Sequence, residues 1–265
     1  MSWWQAILLG LVEGVTEYLP VSSTGHLLLA AWLMGFEGNP DDFAFTIVIQ
    51  FGAILAVVGL YRRRIGQMAR GVIGDDDAGR RLAACLAVAV LPAAGLGPLA
   101  ESWIQSHLAG PWPVTAALFA GGWVMLVVAR SQRERPQGKG RSIEQMDLTS
   151  ALLIGFGQCL AMWPGTSRSM VTIVTALLLG FSPIAAAEFS FLLGLLTLTG
   201  ASGWAAYHQG AGMLESFGLV PILLGMAVSA VSAAVAIRWL VSFLNRRGVG
   251  PFGWYRIVIA TLLAA

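Results

Sequence analysis

The chain has 265 residues, 57% of them apolar and 11% charged, with 16 Lys and Arg against 14 Asp and Glu. Soluble domains carry about 25% charged residues, so this composition excludes a disordered segment and a water-exposed globular enzyme, and points to a chain solvated by lipid. A net charge of +2 leaves no electrostatic footprint for nucleic acid, while the length suits about six to eight membrane crossings of roughly 20 residues.

The first stretch, 3–36, is apolar but broken at Leu19-Pro20-Val21-Ser22-Ser23-Thr24-Gly25-His26. Proline after an apolar helical run ends or kinks the helix. The freed backbone groups then need protein or water partners, because lipid offers none. A re-entrant helical hairpin is therefore predicted. The opening Met-Ser-Trp-Trp-Gln lacks the basic region of a cleavable signal peptide. Trp3 and Trp4 read equally as interfacial anchors and as packing residues.

Spans are predicted at 43–61, 82–100 and 114–129. A second broken stretch follows at 148–181, interrupted by Trp163-Pro164-Gly165-Thr166-Ser167-Arg168-Ser169, and then spans at 185–207, 219–244 and 252–265. The segments 114–129 and 252–265 are short for straight crossings. Arg238, inside 219–244, can snorkel to the interface. Loop 62–81 holds Arg62, Arg63, Arg64, Arg70, Arg80 and Arg81. Loop 130–147 holds Arg130, Arg133, Arg135, Lys139 and Arg141, and Arg238, Arg246 and Arg247 cluster near 238–247. Loops 101–113 and 208–218 contain no Lys or Arg. The positive-inside rule makes the three basic regions cytoplasmic. Asp75-Asp76-Asp77 reads as a helix start. His107 and His208 read as solvated loop residues, and Cys85 and Cys159 as small buried hydrophobes with no disulfide.

The two broken stretches resemble each other at a constant offset of about 145. Gly10-Leu11-Val12-Glu13 parallels Gly155-Phe156-Gly157-Gln158, Pro20 parallels Pro164, Gly35-Phe36 parallels Gly180-Phe181, and Phe45 parallels Phe189. With loop 62–81 inside, the first hairpin enters from outside and the second from inside. The fold expected is all-α: a polytopic membrane protein of about six transmembrane helices plus two re-entrant hairpins in an inverted-topology repeat. It forms one integral membrane domain over 1–265, with repeats at approximately 1–129 and 148–265 joined by cytoplasmic loop 130–147. Inverted repeats place their broken helices together near the midplane.

Glu13, Glu17, His26 and Arg168 fall inside the hairpins, where each charge costs about 2.5–3.5 kcal/mol if it faces lipid. They are expected to face an interior cavity. Glu13 and Glu17 lie i, i+4, on one helical face. Such a pair shares a proton or a cation, and Mg²⁺ or Ca²⁺ suits its oxygen ligands better than zinc. A structural ion pair with Arg168 and a proton relay are the alternatives. Ser22, Ser23 and Thr24 precede a helix, where hydroxyls cap and a helix N-terminus attracts phosphate. Ser23 and His26, i, i+3, allow a hydroxyl activated by imidazole. Gly165, Thr166, Ser167, Arg168 and Ser169 form a second nest, in which Arg168 presents a fork matched to phosphate or, alternatively, to Glu13 or Glu17. Glu188 reads equally as a third intramembrane acid and as a carboxylate favoured by a helix dipole. Carboxylates, a cation and an arginine at membrane depth point to phosphoester chemistry on a lipid diphosphate.

The segment from Glu13 to His26 resembles the first signature of the undecaprenyl-diphosphate phosphatases, the bacitracin-resistance family. Pro164-Gly165-Thr166-Ser167-Arg168-Ser169 resembles their second signature, and the likeness continues through Glu188-Phe189-Ser190-Phe191-Leu192-Leu193. The resemblance implies hydrolysis of undecaprenyl diphosphate to undecaprenyl phosphate and inorganic phosphate in the bacterial inner membrane, dependence on Mg²⁺ or Ca²⁺, and bacitracin resistance. By motif, Glu13 and Glu17 hold the metal or the water, Ser23 or His26 attacks or relays the proton, and Arg168 with Ser167 clamps the diphosphate. A carrier that flips undecaprenyl phosphate is the alternative. The expected partners are the lipid substrate and the membrane; a homodimer is allowed, but nothing in the sequence selects it. Met170 and Leu196 stand where the family usually has Gly and Pro, departures expected to bear on pocket shape and substrate preference rather than on reaction class.

Overall fold

A computed structural model describes the backbone of residues 1–35, 40–132 and 140–264, and their side chains apart from those of 40–44, 205–206 and 208–214. Phe36, Arg133, Arg135 and Lys139, and the side chain of His208, lie outside the described residues. The chain forms α1 (Trp3–Thr16), α2 (Ser23–Leu33), α3 (Pro40–Leu60), α4 (Arg62–Val72), α5 (Asp77–Leu108), α6 (Pro111–Gln132), α7 (Leu148–Cys159), α8 (Arg168–Leu178), α9 (Pro183–Phe217), α10 (Leu219–Arg247) and α11 (Gly250–Ala264). Among the described residues there is no strand, only one isolated bridge between Arg141 and Phe181.

A helix stands at each predicted span. α5, α6, α9 and α10 are long and apolar enough to cross a membrane. α11 has 15 residues, roughly 22 Å at about 1.5 Å per residue, so it is short of a straight crossing. The exposed surface carries the matching signature: Leu55, Leu91, Leu99, Val231, Val235 and Leu262 are each more than half exposed. An apolar surface of that extent is stable against lipid and not against water. The molecule is an all-α, multi-pass membrane protein.

Two loops of the sequence reading are helical. Residues 62–81 contain α4, bent by 79° from the end of α3. Its arginines alternate with Ile65 and Met68, which pack on the core, so charge density hides an amphipathic helix. The α9 backbone runs through the predicted outside loop as far as Phe217. α5 likewise extends beyond its apolar stretch, because its start is set by a cap: Asp76 accepts from the Gly79 N–H at 2.7 Å. Cys85 and Cys159 are free thiols.

The two broken stretches have matching local structure. α2 and α8 both begin after a serine of positive φ, Ser22 at 76° and Ser167 at 74°; no other described non-glycine residue adopts one. Each hydroxyl accepts from the backbone N–H three residues on, Gly25 at 3.4 Å and Met170 at 3.3 Å. Both second helices end at a positive-φ glycine, Gly35 and Gly180. Packing is exchanged between the halves, since α1 lies along α10 and α7 along α5. A Cβ on Gly10 would stand 2.4 Å from the Gly225 carbonyl oxygen, and one on Gly155 would stand 2.5 Å from that of Ala89.

Candidate active site

The breaks of the two hairpins meet in the interior. Ser169, fully buried, donates its hydroxyl to the Leu19 carbonyl at 2.8 Å. Its Oγ also lies 3.0 Å from that of Ser167. Gly165 lets the second break press against α6: its φ is 93°, and a Cβ there would stand 2.4 Å from the Val114 carbonyl oxygen. Only glycine satisfies both demands.

Across this junction runs a line of charge. Glu17 Oε2 accepts from the Ser23 hydroxyl at 2.7 Å, and Glu17 Oε1 accepts from Arg168 Nη2 at 2.8 Å. The Arg168–Glu17 pair is nearly out of solvent, with side chains 12% and 6% exposed. Arg168 Nη1 donates to the Ser190 carbonyl at 3.1 Å, its guanidinium lies 5.4 Å from the centre of the Tyr18 ring, and its Nε has no partner among the described residues. Room for this fork comes from Gly194, where a Cβ would stand 1.7 Å from Arg168 Nη1. Thr172 and Ser190 bond at 2.7 Å and tie α8 to α9 beside it.

Glu13 is fully buried, and neither of its carboxylate oxygens makes a hydrogen bond among the described residues. Glu17, Arg168 and Gln50 are its electrostatic neighbours. Of the two acids, then, only Glu17 reaches Arg168.

Ser23 and His26 do not bond to each other. His26 Nδ1 lies 2.7 Å from the Ser22 carbonyl, an acceptor, so Nδ1 carries the proton. Nε2 then accepts from the Tyr255 hydroxyl at 2.7 Å, with the two rings parallel. The i, i+3 spacing brings the two residues onto neighbouring turns, but Tyr255 draws the imidazole toward α11. Ser22 and Ser167 act as helix caps, and Ser169 as a tie between the breaks. Thr24 is half-buried and Thr166 buried, both within the two nests.

Other charges fall outside this group. Glu188 pairs with Arg64 at 2.7 Å, and Arg64 also reaches Glu144 at 3.0 Å. Met170 is buried and Leu196 is 45% exposed, so only the first of these departures faces the interior. Three residues the sequence did not mark belong to the site's frame, Gly194, Tyr255 and Arg256, beside Ser190 of the third matched segment. Arg256 is fully buried and donates to carbonyls at both breaks, Pro20 at 3.5 Å and Gly165 at 3.0 Å.

A family model described as bacitracin resistance protein BacA matches residues 6–262. A Sorangium cellulosum protein named undecaprenyl-diphosphatase is 47% identical over 99% of this chain and 86% of its own length. A Rhodopseudomonas palustris protein of the same name is 41% identical over 97% and 94%. One of Rhodospirillum rubrum, named undecaprenyl-diphosphatase 2, is 42% identical over 98% and 93%. With the Ser23–Glu17–Arg168 line built from the two segments that carry the resemblance, the chain belongs to the bacitracin-resistance protein family.

Proposed function

We propose that the chain is a phosphatase of the bacterial inner membrane that removes the terminal phosphate of undecaprenyl diphosphate. The products are undecaprenyl phosphate and inorganic phosphate, so the enzyme returns a lipid carrier to cell-wall synthesis and confers bacitracin resistance. The names of its relatives support the substrate. The observation that carries the reading is the hydroxyl–carboxylate–guanidinium line of Ser23, Glu17 and Arg168. A carrier that only binds and releases phosphate has no need of a serine aimed at a buried carboxylate.

In this reading the terminal phosphate enters between the two breaks and Arg168 turns its fork from Glu17 to the phosphate oxygens. Glu17, released from its ion pair, becomes the stronger base and takes the Ser23 proton. Ser23 Oγ bonds to the terminal phosphorus while the bridging P–O bond breaks, and undecaprenyl phosphate leaves with the bridging oxygen. Glu17 passes that proton to the departing bridging oxygen; it then takes a proton from water as the water oxygen displaces Ser23 Oγ from phosphorus, and returns it to Ser23 Oγ, freeing inorganic phosphate. The Thr24 hydroxyl and the backbone N–H groups opening α2 and α8 stand ready to hold phosphate oxygens. Every group used comes from one chain, and no step is assigned to a second copy in a homodimer.

A Mg²⁺ or Ca²⁺ ion fits the residues present. A fully buried carboxylate without a bonded oxygen is costly, and Glu13, beside Glu17, is a hard-oxygen donor of the kind these ions take. No group of three His, Cys, Asp or Glu side chains is placed to hold a metal among the described residues, so substrate oxygens would complete the shell. Bound there, the ion would neutralise charge on the phosphoryl oxygens.

We also propose that residues 1–129 and 148–265 are inverted-topology repeats joined by cytoplasmic loop 130–147, with both hairpins re-entrant. The paired positive-φ caps and the exchanged packing of α1 on α10 and α7 on α5 support it.

The test is phosphate release from undecaprenyl diphosphate by purified protein in detergent with Mg²⁺. The expected result is turnover that chelation stops and that Glu17→Gln and Arg168→Ala abolish. No release, or release unchanged in those variants, overturns the assignment.

A further inference from the structure

Arg256 is a fully buried guanidinium in a molecule where a buried charge is normally matched by its opposite. Among the described residues it has no carboxylate partner. Its hydrogen bonds among the described residues all go to carbonyl oxygens: Leu118 at 3.2 Å from Nε, Ala117 at 3.1 Å and Gly165 at 3.0 Å from Nη2, and Pro20 at 3.5 Å from Nη1. Pro20 and Gly165 belong to the two different breaks, and Ala117 and Leu118 to α6. The space it occupies is held open by Gly121, where a Cβ would stand 2.4 Å from Nη2.

We infer that Arg256 is a positioning residue for the diphosphate, tying the two breaks to α6 and supplying a fixed positive field whose counter-charge is the substrate. Two features argue for this beyond packing. A neutral donor would satisfy the same carbonyls at lower desolvation cost, so the charge itself needs a reason. Moreover, with no cation bound and both acids ionised, Glu13 and Glu17 set against Arg168 alone leave the interior one negative charge in excess; Arg256 brings that metal-free count to zero. Carbonyl dipoles stabilise the cation but do not cancel its field, which therefore reaches the anion site beside Gly165. The inference rests on the diphosphate reading of the site, but only on binding of the anion and not on its cleavage.

The experiment separates charge from hydrogen bonding. Arg256→Gln keeps N–H donors and loses the charge; Arg256→Lys keeps the charge and loses the fork. Parent and variants, purified in detergent, are compared for inorganic pyrophosphate affinity by calorimetry with Mg²⁺, for KM and kcat with undecaprenyl diphosphate, and for melting temperature. The expectation is about tenfold weaker pyrophosphate binding and a similar rise in KM for Arg256→Gln, with Arg256→Lys within about threefold of the parent, tenfold corresponding to one decade of affinity. A folded Arg256→Gln with parental affinity and KM overturns the inference. So do Lys and Gln variants weakened equally and in step with their melting temperatures, the mark of a purely structural role. Should Arg256→Gln fail to fold, Gly121→Ala, which crowds the fork and keeps the charge, is compared with Arg256→Lys. Binding within about threefold of the parent in both supports the field, and a tenfold loss in either overturns it. A parent that binds pyrophosphate through Arg256 but releases no phosphate refutes the phosphatase and leaves this inference standing.

Discussion

Glu17 holds a serine hydroxyl with one oxygen and a guanidinium with the other, and that double engagement sets what its replacement does. Glu17→Gln keeps a polar group of the same size but cannot accept a proton. Phosphate release is expected to fall by about 10²–10⁴-fold, as for loss of a general base, and the melting temperature to fall with it, because Arg168 is left without its counter-charge in a nearly solvent-free site. Gly194→Ala makes a different demand. Its new methyl falls 1.7 Å from Arg168 Nη1, so the fork must shift, and a displacement of about 1 Å in a clamp costs roughly 10²-fold in rate. Equal turnover in Gly194→Ala and the parent would show that Arg168 can hold the phosphate from another position. Glu13, Glu17, Ser23 and Arg168 were legible in the sequence because charge and hydroxyls in an apolar chain need a reason. Gly194 and Arg256 were not: a glycine among apolar residues and an arginine near a span end look ordinary until packing shows what each faces. The partner of His26 was hidden for the same reason, since Tyr255 lies 229 positions away.

At the level of elements, the two serine caps combine a favourable hydrogen bond with an unfavourable backbone. A cap is worth about 1 kcal/mol, and a non-glycine residue held at positive φ costs about 1–3 kcal/mol. Ser167→Ala loses the cap and keeps the strain, whereas Ser167→Gly loses the cap and relieves the strain. The glycine variant is therefore expected to melt above the alanine variant, and the same order is expected at Ser22, both read by thermal denaturation in detergent. The start of α7 makes a pH-dependent case outside the spans. Arg141, and then the Ser150 N–H, hold the Asp147 carboxyl at about 2, below its usual 3.8. A carboxyl depressed in the folded state contributes stability above its unfolded value and loses it as pH falls from 3.8 toward about 2. Both side chains are at least a third exposed, so solvent limits the contribution to about 1 kcal/mol or less. Asp147→Asn is expected to remove that acid-side slope from the melting temperature, and a slope unchanged in the variant would place its origin elsewhere. The breaks themselves were legible, because proline followed by hydroxyls cannot continue a helix in lipid. α4 was not, because counting its arginines identified the membrane side and concealed the Ile65–Met68 stripe beneath them.

The whole molecule joins these parts by having each half complete the other. α1 packs on α10 and α7 on α5, so neither hairpin is supported by its own half alone, and the two breaks are pressed together where Ser169 reaches Leu19 and Arg168 reaches Glu17. In the proposed inverted repeat this contact would bring a motif entering from one side of the membrane against one entering from the other, a way to assemble a polar site at depth without exposing charge to lipid. The orientation expected from the arginines is testable without reference to catalysis. Ser106 near the end of α5 and Asp77 at its start are both exposed, and α5, with 32 residues, spans about 48 Å at roughly 1.5 Å per residue, enough to set them on opposite faces. A cysteine at Ser106 is expected to react with a membrane-impermeant maleimide added to intact cells. One at Asp77 is expected to react only after the membrane is permeabilised, the native Cys85 and Cys159 being replaced by alanine to remove background. Labelling of both from one side would mean that α5 does not cross, and labelling with the sides exchanged would invert the molecule. Exchanged sides would place the basic α4 face away from the cytoplasm, against the positive-inside rule, and labelling of both from one side would break the alternation of crossings on which the opposed orientation of the two hairpins depends.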